Sequence, residues 1–265
     1  MSNTKETFTI RKLNDDIDEL LQITNSLASA HPLPKEKTSY FLRIIEGIYR
    51  KATFTVLAIR HLSDTPVLAD SAATLYRKLI DDVVTVEYML MKGKEDMAKR
   101  FQEFELIQQY IEIKMLRNMG YKASVSDADY SRLEEEVSKI KQSHIHHKSG
   151  SFNHSWSGFS TEQMWIEIAK SKIFKKHEIK FINLTYLYGS WKTHTNPVDV
   201  RTYMTNSIRK KELNKILFQT LLLSLLCHVR LTTRYIDEIS SLTGKNEHVD
   251  VAEKIQQMYK RWDSN

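Results

Sequence analysis

Along this chain the apolar residues recur at three- and four-residue intervals, the spacing of an amphipathic helix. Leu13, Ile17, Leu20, Leu21, Thr24 and Leu27 predict a first helix over about 11–30, and "HPLPKEK" breaks it. Tyr40, Phe41, Ile44, Ile45, Ile48 and Tyr49 carry the pattern on from Thr38 to about Leu62. In "SDTP" (63–66) one helix stops and the next starts, with Pro66 suited to a first helical turn. A third helix is expected from about Val67 to Met91. After "KGKED" a fourth runs to about Met119, with a core stripe of Phe101, Phe104, Ile107, Ile111 and Met115. "NMGYKASVSD" reads as a loop, and Asp127 as the cap of a short charged helix over about 128–141. The longest irregular stretch, "QSHIHHKSGSFNHSWSGFS", covers 142–160. Ser160 or Thr161 then caps a helix to about Phe174. Further helices are expected over about 178–194, 198–208, 211–241 and 249–262, with Gly244 as a stop.

Composition supports this reading. Gly (7) and Pro (4) are too scarce in 265 residues to punctuate many strands, while Leu, Ile, Lys, Glu and Gln favour helices. The hydrophobic share of 41% is enough for a core and excludes wholesale disorder. No repeat, low-complexity linker or domain boundary stands out. The expectation is one all-α domain over 1–265, a bundle of about eight to ten long antiparallel helices. The single Cys227 cannot form an internal disulfide, and the first residues carry no apolar leader. The greasiest run, Ile216 to Val229, is short for a membrane span and contains Gln219, so it reads as a core helix. The chain is therefore expected in the cytoplasm, with no membrane partner. A net charge of +6 permits contact with nucleic acid without requiring it.

Polar residues at apolar positions mark the candidate chemistry. Arg77 and Asp81 lie four apart in a helix that is otherwise apolar nearly all round. They are either an ion pair that fixes register, or a pocket in which Arg77 meets a phosphate and Asp81 orients a neighbour. In "YLYGSWKTHTNP" (186–197), Tyr186, Ser190 and His194 continue a polar stripe that starts at Asn183. His194 sits at a predicted helix end, as a cap or as a general acid or base.

These segments occur in a familiar order: "ADSAATLYRKLIDDVVTVEYML", "AKRFQEFELIQQY", the Trp-Ser-Gly of "HSWSGFS", then "YLYGSWKTHTNP". Over about 66–197 the chain resembles the bacterial family catalogued as domain of unknown function 5677. The resemblance places the family's Arg on Arg77 and its acid on Asp81, where Glu is usual. Its Trp-x-Gly falls on Trp156, Ser157 and Gly158, and its Ser and His on Ser190 and His194. It implies a helical fold and, more distantly, a likeness to the HEPN group of bacterial RNases, toxins and phage-defence proteins. That group's Arg with a His four to six residues on is absent here. A composite site of Arg77 and His194 on different helices would serve the same chemistry.

Other features read more plainly. His144, His146, His147 and His154 form a His-rich tract on a solvated loop, with no Cys and few acids nearby, so no metal site is expected. Lys172, Lys175, Lys176 and Lys192 are candidate nucleic-acid contacts or ordinary surface. Phosphate-binding glycine loops and the common hydrolase motifs are absent, and no cofactor is expected. Two functions stay open. One is a metal-independent endoribonuclease-like effector using Arg77, Asp81, Ser190 and His194. The other is a non-catalytic helical module that binds a protein or nucleic acid, with those residues structural. Tyr259 and Trp262, taken as exposed, add the expectation of a homodimer.

Overall fold

The computed structural model describes residues 9–30, 39–121, 125–145, 149–171, 179, 183, 210–243 and 249–263. Among the described residues the chain is all-α, with eight α-helices and no strand beyond an isolated antiparallel bridge, Ile145 with Phe152. They are α1 (Ile10–Ala30), α2 (Tyr40–Leu62), α3 (Ala69–Lys92), α4 (Lys94–Asn118), α5 (Asp127–Ile140), α6 (Thr161–Lys170), α7 (Lys210–Thr243) and α8 (Val249–Asp263).

Local chemistry explains the boundaries. Ser39 caps α2 by accepting from Leu42 N, and Ser160 and Gln163 form a reciprocal capping box at α6. The α5 cap is Ser126 rather than Asp127, which sits inside the first turn. Ser126 Oγ accepts from Asp129 N, and both early acids then complement the helix dipole. Pro66–Leu68 form a 3-10 turn before α3 starts at Ala69. A single residue, Gly93, separates α3 from α4. Its φ of +110° is open to glycine and strained for other residues, so the chain reverses there without a loop.

Helices α1, α2 and α3 surround α7. α1 and α2 run antiparallel, since Arg60 Nε meets Asp18 at 3.1 Å while Tyr49 Oη reaches Thr24 O. α2 and α3 are also antiparallel, with Lys51 Nζ 2.6 Å from Asp82 Oδ1. α7 instead lies parallel to α3: the 66–68 turn packs on α7, and Glu87, further along α3, meets Arg230 and Arg234. α7 is long and apolar enough to cross a membrane, but 61% of its most apolar window is buried by its neighbours.

Two expectations about burial are corrected. Phe104 and Ile107 are core, but Ile111 and Met115 are 44% and 53% exposed. No α4 residue beyond Tyr110 is buried, so the helix outruns the core there. Trp262 is buried rather than exposed. Its Nε1 donates to Asp16 Oδ2 (2.6 Å) while Arg261 Nη1 donates to Asp16 Oδ1 (2.6 Å), which docks α8 on α1. Tyr259 is partly buried against the same core. These aromatics therefore give no ground for a dimer.

His228 sits at the centre, fully buried. Thr24 Oγ1 donates to Leu20 O (2.7 Å) and so can accept from His228 Nε2 (3.2 Å). Tyr49 stacks on both His228 and Tyr235, with ring centroids 5.7 and 4.5 Å apart. His228 Nδ1 has no hydrogen-bond partner, and burial pushes the ring's pKa down to about 4. The unfolded chain, with a His pKa near 6.5, binds more protons than the folded one between those values. This contribution to stability is present above pH ~6.5 and is lost as pH falls towards 4. Asp82, pushed up to about 6 by burial against the pull of Lys51, contributes the opposite slope at the acid end. The wild type minus His228→Gln difference isolates the histidine. In urea unfolding at about pH 7, 5.5 and 4.5, wild type is expected to lose up to about 3 kcal/mol that the variant does not.

Candidate functional site

The polar groups of interest gather on α3. Its buried side carries Ala72, Ala73, Tyr76, Leu79, Ile80, Val83 and Val84, which bring it close to α2 and α7. Arg77 and Asp81 fall one turn apart on the rim of that side, and Arg77 Nη1 donates to Asp81 Oδ1. The Arg77 side chain is 14% exposed and that of Asp81 41%, so the pair runs from the interior to solvent, with exposed Lys78 next to Arg77 in the chain. The geometry makes both sequence readings chemically available: a register-fixing pair, and a guanidinium held in place beside an accessible carboxylate.

The head of the second predicted stripe is held by α6. Trp165 Nε1, on α6, donates to Asn183 Oδ1, and α6 packs on α3. Lys92 at the end of α3 pairs with Glu167 of α6 at 2.7 Å. Ser190 and His194, like Lys172, Lys175, Lys176 and Lys192, lie outside the described residues.

Sequence reasoning missed the most deeply buried charge. Glu87 is 1% exposed and accepts from Arg230 Nε (2.7 Å), Arg234 Nε (2.9 Å) and Arg234 Nη2 (3.1 Å). Burial pushes the carboxyl up, but the charge of Arg230 and the bonds from Arg234 outweigh it and leave its pKa below the ordinary value. A signal was present: Arg230 and Arg234 stand four apart on an apolar helix, as Arg77 and Asp81 do, with Glu87 alone in "VVTVEYML". This cluster ties α3 to α7 and is sealed by its own partners.

The Trp-Ser-Gly segment is built into the frame. Trp156 packs edge-on against Tyr88 (6.0 Å) and Phe101 (5.4 Å), and its carbonyl accepts from Arg100 Nε at 2.8 Å. Gly158, with φ of +79°, turns the chain beside the Arg100 guanidinium. Described parts of the 142–160 stretch are thus irregular, anchored by the buried Trp156 and His144 while His154 and many of their neighbours stay exposed. His144 is fully buried against Phe104, its Nε2 3.4 Å from Glu103 Oε2, and burial lowers its pKa despite that carboxylate. Between this segment, α4 and Ile44 of α2 lies a cleft of about 380 Å³ lined by Gln102, Glu105, Gln108 and His154 among others. Among the described residues no group of three or more His, Cys, Asp or Glu is placed to hold a metal.

The profile of a family described as of unknown function, DUF5677, matches residues 42–212, well over half of the chain. The chain belongs to this family. The match takes in nearly all of α2, then α3 to α6 and the first turn of α7, so it is wider than the 66–197 span that the motifs marked. No curated protein and no solved structure matches it. In this DUF5677 chain, Arg77, Asp81 and Trp156 to Gly158 are described residues within the match. Arg230 and Arg234 lie beyond it.

Glu87 and Arg77 separate by experiment. Glu87→Ala strands two guanidiniums against the core and is expected to cost about 3–5 kcal/mol in chemical denaturation. Arg77→Ala, which breaks a pair open to solvent at Asp81, is expected to cost clearly less.

Proposed function

We propose that this protein is a helical, metal-independent endoribonuclease-like effector of bacterial defence or toxin type, acting in the cytoplasm. Arg77, Asp81, Ser190 and His194 form its site, and RNA is its substrate. The observation that supports this reading most is the anchoring of Asn183. It is the first residue of the Asn183, Tyr186, Ser190, His194 stripe, and it is bonded by α6, which lies on the helix that carries Arg77 and Asp81. In the proposed reaction His194 takes the proton of a ribose 2′-OH. The alkoxide attacks the adjacent phosphorus, the bond to the 5′-oxygen breaks, and that oxygen takes up a proton. Arg77, oriented by Asp81, steadies the negative charge that builds on the non-bridging oxygens. Ser190 lies one helical turn before His194 in sequence and would hydrogen-bond the same phosphate. Lys172, Lys175, Lys176 and Lys192 would meet the flanking phosphates. The products would be a 2′,3′-cyclic phosphate and a 5′-hydroxyl end.

A second reading, a non-catalytic module binding a protein or nucleic acid, is favoured by a different observation. Arg77 and Asp81 are paired with one another, as the buried carboxylates of Glu87, Asp82 and Asp16 are paired with their cations. Induced expression of wild type, Arg77→Ala and His194→Ala in a bacterial host separates the two readings. The proteins must be matched for soluble level and for helical circular dichroism. The proposal expects growth arrest by wild type, RNA fragments with cyclic-phosphate ends, and a loss of cleavage of at least about a hundredfold in both variants. A harmless wild type, or equal arrest by all three, transfers the site residues to the structural reading.

A further inference from the structure

The outer face of α2 is unlike an ordinary solvated helix surface. Arg43, Gly47, Arg50, Phe54 and Leu57 alternate at four- and three-residue steps, and all are exposed. Tyr40 extends the line at one end, with the Arg43 guanidinium 5.0 Å from the centre of its ring, and His61 at the other. Phe54 is 71% exposed. At 1.5 Å per residue the line is about 30 Å long. On and beside this line stand Arg43, Arg50 and Lys51 against one acid, Glu46, which Arg50 meets at 2.7 Å, while the fourth cation of α2, Arg60, is turned to Asp18 and Asp64. Lys51, beside the line, is half exposed though its ammonium reaches Asp82.

Gly47 is the telling position. A glycine inside a helix destabilises it by about 1 kcal/mol relative to alanine. Nothing in this fold requires it: a Cβ there would meet no atom within 4 Å, and the residue lies in a regular stretch of helix. What a glycine does provide is a saddle between Arg43 and Arg50 where another molecule can approach the backbone closely.

We infer that this face of α2 is a docking surface for single-stranded RNA. Exposed aromatic rings accept stacked bases of any sequence, guanidiniums meet the phosphates between them, and Gly47 leaves room for the strand to lie against the helix. Charge decides the occupant: a face with an excess of Arg and Lys fits a polyanion, and the aromatic rings between the charges fit unpaired bases. The assignment rests on reading the chain as an RNA-directed protein. It adds a binding surface on a different helix from Arg77.

Fluorescence anisotropy of the full chain with a labelled oligodeoxythymidylate of about twenty nucleotides tests it. That probe lacks the 2′-OH, so it cannot be cut by the proposed reaction, and an oligouridylate of the same length is compared with it. Wild type is expected to bind both. Phe54→Ala should weaken binding about tenfold. Arg43→Ala with Arg50→Ala should flatten the dependence of log affinity on log salt by about 1 to 1.5. Gly47→Leu, a good helix former in open space, should block binding, and Gly47→Ala should keep it. Arg132→Ala, at an exposed position on α5, should bind as wild type, and because the probe cannot be cut, loss of the cleavage reading leaves this one standing. The inference is overturned if wild type binds neither strand at low salt, or if Phe54→Ala and Gly47→Leu bind as wild type. It is also overturned if sedimentation shows a dimer that these two variants disperse, which would give the face to a second copy.

Discussion

A helix as apolar as α7 has to be covered on nearly every side, and most of the architecture follows from that need. Its thirty-four residues carry Leu217, Leu221, Leu223, Leu225, Val229, Leu231, Ile236 and Ile239 into the core. A stripe that wide cannot be buried by one partner. α1, α2 and α3 take separate faces of it, and α8 closes part of the remainder. The parallel run of α3 and α7 is a product of the same constraint. Residues 93–209 intervene between the two helices, so their relative direction is set by packing rather than by a short connection.

Covering α7 also means burying its polar groups, and most of them find a partner; Thr220 Oγ1 and His228 Nδ1 do not. Ser224, Thr232 and Thr233 return their hydroxyls to carbonyls one turn back, at Thr220, His228 and Val229. His228 is accepted by Thr24 and covered by Tyr49. Arg230 and Arg234 meet Glu87. A buried charge of this kind contributes little net stability when paired and costs several kcal/mol when its partner is removed. The effect is to select one register between α3 and α7, because a slide of a single turn, the spacing of Arg230 and Arg234, would leave Glu87 with only one of the two.

Most of the helices were legible in the sequence because amphipathic periodicity is a local property. The start of α6 was legible to within one residue, Ser160 or Thr161, and the reciprocal bond with Gln163 settles it on Ser160. The Arg77–Asp81 pair was legible for the same reason: four residues along one helix is a distance that the sequence states directly. Glu87 was not, since its partners lie more than 140 positions away and only packing brings them together. Ile111 and Met115 were misplaced because periodicity identifies an apolar stripe but not where the bundle ends. Trp262 was misplaced because an aromatic residue near the end of a helix gives no sign of a buried carboxylate such as Asp16 waiting for its indole N–H. Ser190 and His194 lie outside the described residues, so that half of the candidate site is still carried by its sequence spacing alone.

The distribution of charge separates two kinds of arginine in this protein. Arg230 and Arg234 face a carboxylate that is 1% exposed, and their task is to neutralise it. Arg43 and Arg50 face outward, one over an exposed ring and one on a surface carboxylate that competes poorly with water. Arg77 stands between these types: its guanidinium is mostly buried, yet its partner Asp81 reaches solvent. An arginine held rigid at the edge of a core by an accessible acid is pre-organised for an anion arriving from outside, and the orientation has already been fixed by folding. Arg60 shows the same arrangement, 20% exposed beside Asp18 and Asp64 at 46% and 63%, so what singles Arg77 out is its place in the middle of the buried helix α3 rather than the pairing.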